Sequence, residues 1–293
     1  MELIGTIIAP FLPPLLDGVA RKVKAMIQNR VGPPILQTWY DIITLLSMDS
    51  ILPTSSLTFR LAPYVALASA LCMALMLPYG SDAIINFGGD LIAFIYVFTL
   101  FSAALVFGAL SVDNSYSHAG ANRELTLSLV FKPLFAITIG TFALKTGSLS
   151  ITEIARSISP SPSIIGAYLL LLYVTYVESG FIPYDIAEAE TEILEGPLTE
   201  YSGRLLGLFK WALQIKRFAM IWLFASFVAL PVAEGAIAFA LQLLVFLLTY
   251  LLMGDLRVPE RPPQARSGNE AGSQGHHYRC NNHDNRMSGM VRL

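Results

Sequence analysis

Six carboxylates fall within one short stretch of the sequence, Asp185, Glu188, Glu190, Glu192, Glu195 and Glu200, and Glu178 precedes them at the end of an apolar run. Read as a helix at about 100° per residue, the segment puts Asp185, Glu188, Glu192 and Glu195 on one stripe, with Glu190 roughly opposite. Like charges that close repel, and any burial disfavours ionisation further, so some members of such a row hold protons near neutral pH and can exchange them. The chemistry on offer is proton relay. A solvated acidic loop is the plain alternative. Against it stands the scarcity of charge: only 14% of the residues are Asp, Glu, Lys or Arg, and ionisable groups beside apolar spans are costly unless used.

Lys132 interrupts an otherwise uncharged run and precedes Pro133, whose ring removes a backbone hydrogen bond. An ionisable residue inside a span is a functional candidate, with snorkelling to the surface as the alternative. Lys210, Lys216 and Arg217 open another span, where they can pair with the acidic segment or anchor the helix at the interface. His276, His277, Cys280 and His283 are ligand types suited to zinc, but they stand in a stretch with no supporting fold. The 2 cysteines, Cys72 and Cys280, make neither a disulfide framework nor a four-ligand iron-sulfur set. No redox centre is expected in this chain, and no nucleophile motif, Walker loop or dinucleotide fingerprint occurs.

The elements that must position these residues are membrane helices. With 54% hydrophobic residues against 14% charged, the chain lies far from the roughly 25% charge of a soluble domain. A net charge of −2 gives no basic field for nucleic acid. Spans are expected over Leu3–Leu16, Leu61–Tyr79, Leu91–Leu110, Leu125–Leu144, Ser157–Val177, Phe218–Ala233 and Gly235–Gly254. Arg21, Lys22 and Lys24 follow the first of these instead of preceding it, which favours a span over a cleaved leader. After Gly32-Pro33-Pro34, the residues Ile35, Leu36, Trp39, Ile42, Ile43 and Leu46 recur at helical spacing, predicting an amphipathic helix in the membrane interface, on a partner, or on the chain's own spans. The fold class is thus all-α and polytopic, about seven transmembrane helices plus an interfacial one. The transmembrane domain covers 1–254, with cytoplasmic loops 21–60 and 183–205. Residues 255–293 read as a hydrophilic, disordered tail. One set of loops carries Arg21, Lys22, Lys24, Arg30, Arg60, Arg123 and Arg204, and the other only Lys145 and Arg156, which predicts the N-terminus outside and the C-terminus in the cytoplasm.

Two segments resemble a known family. ARKVKAMIQNRVGPPILQTWYDIITLL at 20–46 and ESGFIPYDIAEAETEILEGPLTEYSG at 178–203 are similar to the heel, or membrane-anchor, subunit of respiratory complex I and its counterpart in energy-converting membrane-bound nickel-iron hydrogenases. The resemblance implies a helical subunit on which a hydrophilic redox arm docks, near its last iron-sulfur cluster, with an acidic chain feeding protons toward antiporter-like subunits. It implies a proton-transfer or coupling role for Glu178, Asp185, Glu188, Glu190, Glu192 and Glu200, and a docking role for Arg21, Lys22, Gln28, Asn29, Arg30, Gly32 and Pro33. Glu195 and Lys132 join the coupling set on the residue-level reading above.

Three positions depart from quinone-reducing members: Phe181 stands where they usually have arginine, Leu213 near where they have a glutamate, and Lys132 where a glutamate commonly precedes the proline. Gln28-Asn29-Arg30, Asn122-Arg123-Glu124 and Ile193-Leu194-Glu195-Gly196-Pro197 look closer to archaeal hydrogenases and their sulfur-reducing relatives, which use ferredoxin electrons. The family normally ends in an eighth span, where this chain is hydrophilic.

The function expected is the anchor and coupling subunit of an ion-translocating, ferredoxin-dependent hydrogenase in the cell membrane. Its partners would be a hydrogenase-like large subunit, an iron-sulfur subunit and antiporter-like chains, with all iron-sulfur and nickel-iron centres on those partners. A sulfur-reducing or quinone-reducing assembly is the alternative. A secondary transporter is more remote, because the sequence lacks the internal repeats such folds use.

Overall fold

A backbone in hydrocarbon must satisfy its own hydrogen bonds, and a chain this apolar meets that demand with helices. The computed structural model describes residues 2–27, 32–159, 161–181, 184–185 and 194–255, all within one unit. Every regular element among them is helical. In order these are α1 (Glu2–Ile27), α2 (Gln37–Ser47), α3 (Leu57–Leu75), α4 (Asp90–Leu110), α5 (Ser115–Thr146), α6 (Ile151–Ser157), α7 (Pro162–Glu178), a 3₁₀ turn (Gly196–Leu198), α8 (Gly203–Ala229) and α9 (Gly235–Asp255). Five are long and apolar enough to cross a membrane: α3, α4, α5, α8 and the part of α9 over Gly235–Met253. The seven spans expected from sequence also require α7, apolar over 17 residues, and α1, which holds Pro10, Pro13 and Pro14 inside its 26 residues. The tail read as disordered, with its zinc-type residues, lies outside the described residues.

Several helices run past their apolar segments. α1 continues through Arg21 and Lys22, so the loop expected to begin at 21 begins beyond Ile27. α5 starts at Ser115, ten residues before the apolar run, because Asn114 caps it by accepting the Tyr116 N–H at 2.8 Å. α8 starts fifteen residues before Phe218. Hydropathy marks the membrane core, but nothing polar beyond it forbids the helix from continuing.

α8 is the central post. It packs against α1, α2, α3, α6, α7 and α9. In its most apolar stretch 72% of residues are buried, against 28–50% in the other four long helices, much of whose apolar surface faces outward. The prolines of α1 serve that packing: Pro14 has no N–H to offer the Pro10 carbonyl, and Trp211 Nε1 of α8 donates to it instead, at 2.9 Å. α2 forms where the apolar spacing predicted, burying Thr38 and Ile42 while Tyr40 and Ile43 stay exposed. Its inner face packs on α8 and α1, so it uses the chain's own helices for one side.

Candidate functional site

α7 ends at Glu178, where α8 passes alongside, and Lys216 Nζ of α8 sits 3.1 Å from Glu178 Oε2. Both side chains are nearly enclosed, at 9% exposure for the lysine and 7% for the glutamate. α4 contributes Phe98 and Phe101, one turn apart, whose ring centroids lie 5.5 and 5.4 Å from the Lys216 ammonium. Lys132 of α5 approaches the same Phe98 ring at 5.3 Å and is itself buried, so it does not snorkel. Two ammonium groups and one carboxylate thus converge inside the bundle, held by cation–π contacts that gain strength when water is excluded.

The pair opens on a cavity of about 60 Å³. Its lining adds Glu124 from α5, Asp185 and Tyr184 from the chain after α7, and Arg217 from α8. Three carboxylates and two cations therefore face one space large enough for several waters. Ser179, also in the lining, carries a buried hydroxyl with no hydrogen-bond partner among the described residues. Such a hydroxyl beside a polar cavity is what an ordered water would satisfy. Glu178, Asp185 and Lys132, singled out from sequence on separate grounds, are brought together here. Lys216, one of the three cations expected to pair with the acidic segment or to anchor the helix, is the direct partner of Glu178.

Of the stripe expected from Asp185 to Glu195, the described residues are its two ends. Asp185 is non-helical, and Glu195 is left-handed at φ 64°, so neither end of the supposed stripe is in helical register. Spacing alone could not register the turn at Glu195, which swings Pro197 onto Gly120 of α5. Glu195 pairs with Lys210 at 3.3 Å, both about 40% exposed. Glu200 accepts a short hydrogen bond from Asn114 Nδ2, tying the segment to the cap of α5. Next to it, Tyr201 stacks on Phe59 at 4.1 Å and donates to the Phe59 carbonyl; burial pushes its hydroxyl above the ordinary tyrosine range. Glu188, Glu190 and Glu192 lie outside the described residues.

The docking set is anchored on α1. Arg21 is half exposed and its Nε meets Asp17 Oδ2 at 2.8 Å. Lys22 is partly exposed, Gly32 lies against Ala25, and Pro33 faces out. Gln28, Asn29 and Arg30 lie outside the described residues. Sequence reasoning missed Asp17. Its signal was an acid immediately after an apolar run and four residues before an arginine, the spacing of a helical ion pair. It also missed Tyr250, which donates to Asp17 Oδ1 at 2.8 Å from a helix 233 residues away.

Residues 1–259 match the family model described as NADH dehydrogenase. The chain belongs to the NADH dehydrogenase family. Among its relatives in that family, hydrogenase-4 component C of Escherichia coli K12 is 38% identical over 231 residues, 76% of this chain and 73% of that protein. Formate hydrogenlyase subunit 4 of the same organism is 33% identical over 236 residues, covering 76% and 75%. A subunit of the NADH-quinone oxidoreductase of Thermomicrobium roseum is 30% identical over 268 residues, covering 79% and 78%. The fold is also that of a chain of the membrane-bound sulfane sulfur reductase, an archaeal respiratory membrane complex, with a TM-score of 0.76, 24% identity and 87% of each chain covered. This member of the NADH dehydrogenase family is accordingly a heel subunit of the complex I and membrane-bound hydrogenase type, a multi-pass membrane component of a hydrogenase-like or reductase-like assembly.

Proposed function

We propose that this chain anchors and couples an ion-translocating, ferredoxin-dependent membrane-bound hydrogenase. The observation that carries the coupling role is the buried Glu178–Lys216 pair, with Lys132 across Phe98, opening on a cavity lined by Asp185 and Glu124. A proton delivered through the cavity to Glu178 removes the counter-charge of Lys216, and two buried cations are then left on one ring. Release of a proton from one lysine restores the balance, so each protonation of the carboxylate drives one deprotonation nearby. Glu188, Glu190, Glu192, Glu195 and Glu200 extend the relay from the polar segment. Arg21, Lys22, Gln28, Asn29, Arg30, Gly32 and Pro33 receive the hydrophilic arm.

Catalysis belongs to partner chains: a nickel-iron large subunit and an iron-sulfur subunit, with antiporter-like chains carrying the ions. The basic loop residues put the C-terminal side in the cytoplasm and the N-terminus outside. The hydrogenase reading is supported by the identities of 38% and 33% to proteins named as hydrogenase-4 and formate hydrogenlyase components, and by Phe181 where quinone reducers resemble one another in having arginine.

The test is purification of the native complex in mild detergent, with mass spectrometry of its chains and hydrogen evolution from reduced ferredoxin. Co-purification of nickel-iron, iron-sulfur and antiporter-like chains with that activity is expected. Hydrogen evolution from formate alone would select a formate-fed arm, the second reading favoured by the formate hydrogenlyase relative. Recovery with a quinone-reducing arm, or with no partner, would overturn the hydrogenase reading. Glu188→Gln and Glu192→Gln are expected to impair ion pumping while hydrogen evolution with artificial donors persists; normal pumping in both would remove them from the relay.

A further inference from the structure

A polar thread inside the helices joins the first docking segment to the buried ion pair. It begins at Arg21, half exposed on α1, whose Nε donates to Asp17. Asp17 is buried and accepts two more hydrogen bonds, from Thr38 Oγ1 of α2 at 2.9 Å and from Tyr250 Oη of α9 at 2.8 Å. The Tyr250 ring in turn meets the Phe181 ring edge-on, at 5.3 Å between centroids, and Phe181 carries Arg217 of α8. Arg217 Nε donates to the Ser179 carbonyl at 2.7 Å, and its guanidinium lies over the Phe181 ring at 5.0 Å. Ser179 directly follows Glu178, and Arg217 directly follows Lys216, so the thread ends on the immediate neighbours of both partners of the pair. The close approach that seats Thr38 on Asp17 is built in: a Cβ on Gly18 would fall 1.8 Å from the Ile35 carbonyl oxygen, so α1 and the start of α2 touch backbone to backbone at this point.

We infer that Asp17 and Tyr250 are positioning residues that transmit the state of the docked arm to the Glu178–Lys216 pair. This inference rests on the coupling role proposed above and adds the route. Arg21 is the member of the thread that an arriving chain can reach. An acidic group on the docked arm competes with Asp17 for its guanidinium, and a buried carboxylate that loses a cation must find another. The next one along the thread is Arg217, held over Phe181, the ring that Tyr250 meets edge-on. Tightening that link draws Arg217 from the Ser179 carbonyl and from the cavity wall beside Glu178, changing the field at the pair without any contact between the arm and the pair. The tyrosine suits this task because its hydroxyl donates to Asp17 while its ring packs on Phe181, the ring that holds Arg217.

The test uses the complete purified complex carrying Asp17→Asn, Tyr250→Phe, Asp17→Glu or Glu178→Gln. Three quantities are measured: retention of the hydrophilic chains, hydrogen evolution with an artificial donor, and ions moved per hydrogen in proteoliposomes. Asp17→Asn and Tyr250→Phe are expected to keep the first two and to lower the ion ratio at least fivefold, with Asp17→Glu restoring most of it. A purely structural staple would not move that ratio in an assembled, active complex. An unchanged ratio in Tyr250→Phe, alongside a lowered one in Glu178→Gln, overturns the thread and leaves the coupling role standing. Loss of the hydrophilic chains in Asp17→Asn with a normal ratio in Tyr250→Phe reduces Asp17 to docking and also overturns it. An unchanged ratio in Glu178→Gln sinks the coupling role and the thread together.

Discussion

Glu178→Gln keeps the volume of the side chain and removes the charge that faces Lys216 at 3.1 Å. Neither partner is more than 9% exposed, so bulk solvent does not take over the lost role. At an effective dielectric of about 20, unit charges at this separation attract by about 5 kcal/mol. Removing one partner of a buried pair costs about 3–5 kcal/mol in practice. Phe98 and Phe101 still hold the orphaned ammonium, each offering up to about 2 kcal/mol when desolvated, which puts the expected loss for Glu178→Gln at the low end, about 3 kcal/mol. Lys216→Met strands the carboxylate instead, and since the rings favour only cations, its cost belongs at the high end, about 5 kcal/mol. The double variant leaves the net charge of the cluster unchanged, with Lys132 still held on Phe98, and should fall within about 1–2 kcal/mol of the unaltered chain. Unfolding by dodecyl sulfate titration of the detergent-purified chain, read by fluorescence of Trp39, Trp211 and Trp222, gives all four corners of the cycle. A double variant as unstable as the sum of the singles would refute the pairing argument.

Three further outcomes follow from the same geometry. Because burial raises the Tyr201 hydroxyl above the ordinary tyrosine range, the unfolded chain ionises there first as pH rises past about 10, so stability falls by up to about 1.4 kcal/mol per pH unit from this group; Tyr201→Phe should flatten the high-pH limb of a stability profile, and an unchanged limb would contradict the burial. Gly120→Ala places a Cβ 2.6 Å from Pro197 Cδ and 2.7 Å from Gly196 Cα, a clash that should cost about 1–3 kcal/mol as in overpacked cores; crosslinking between 114 and 200 should weaken as the segment is pushed off α5. Lys210→Ala breaks a half-exposed pair with Glu195, for which about 0.2–1 kcal/mol is expected; a loss as large as that of Lys216→Met would show that this pair is shielded from water.

Much of the site was legible because its residues are rare where they stand. Glu178 and Lys132 were visible as charges at the end of, or inside, apolar runs, and the physical penalty for placing them there was argument enough that they have partners. The fold class and the α2 helix were legible for a related reason, since apolar length and apolar period follow from local sequence. The C-terminal end of the segment 185–195 was not legible. A helix was expected to run to Glu195, and the positive φ there depends on where Pro197 must pack, not on spacing.

The sequence by itself therefore determined that this chain is a bundle of membrane helices, which residues are too costly to be idle, and where an amphipathic helix lies, because hydropathy and periodicity act within about twenty residues of chain. Only the tertiary structure decided who meets whom. It set Lys132 and Lys216 on the same Phe98 ring, gave Glu178 its lysine from another helix, and closed the contact between Asp17 and Tyr250 across 233 residues of sequence. Those pairings arise from the way six helices pack around α8 and α5 packs on α4, and no pattern along one stretch of sequence encodes the rotation that brings each face inward.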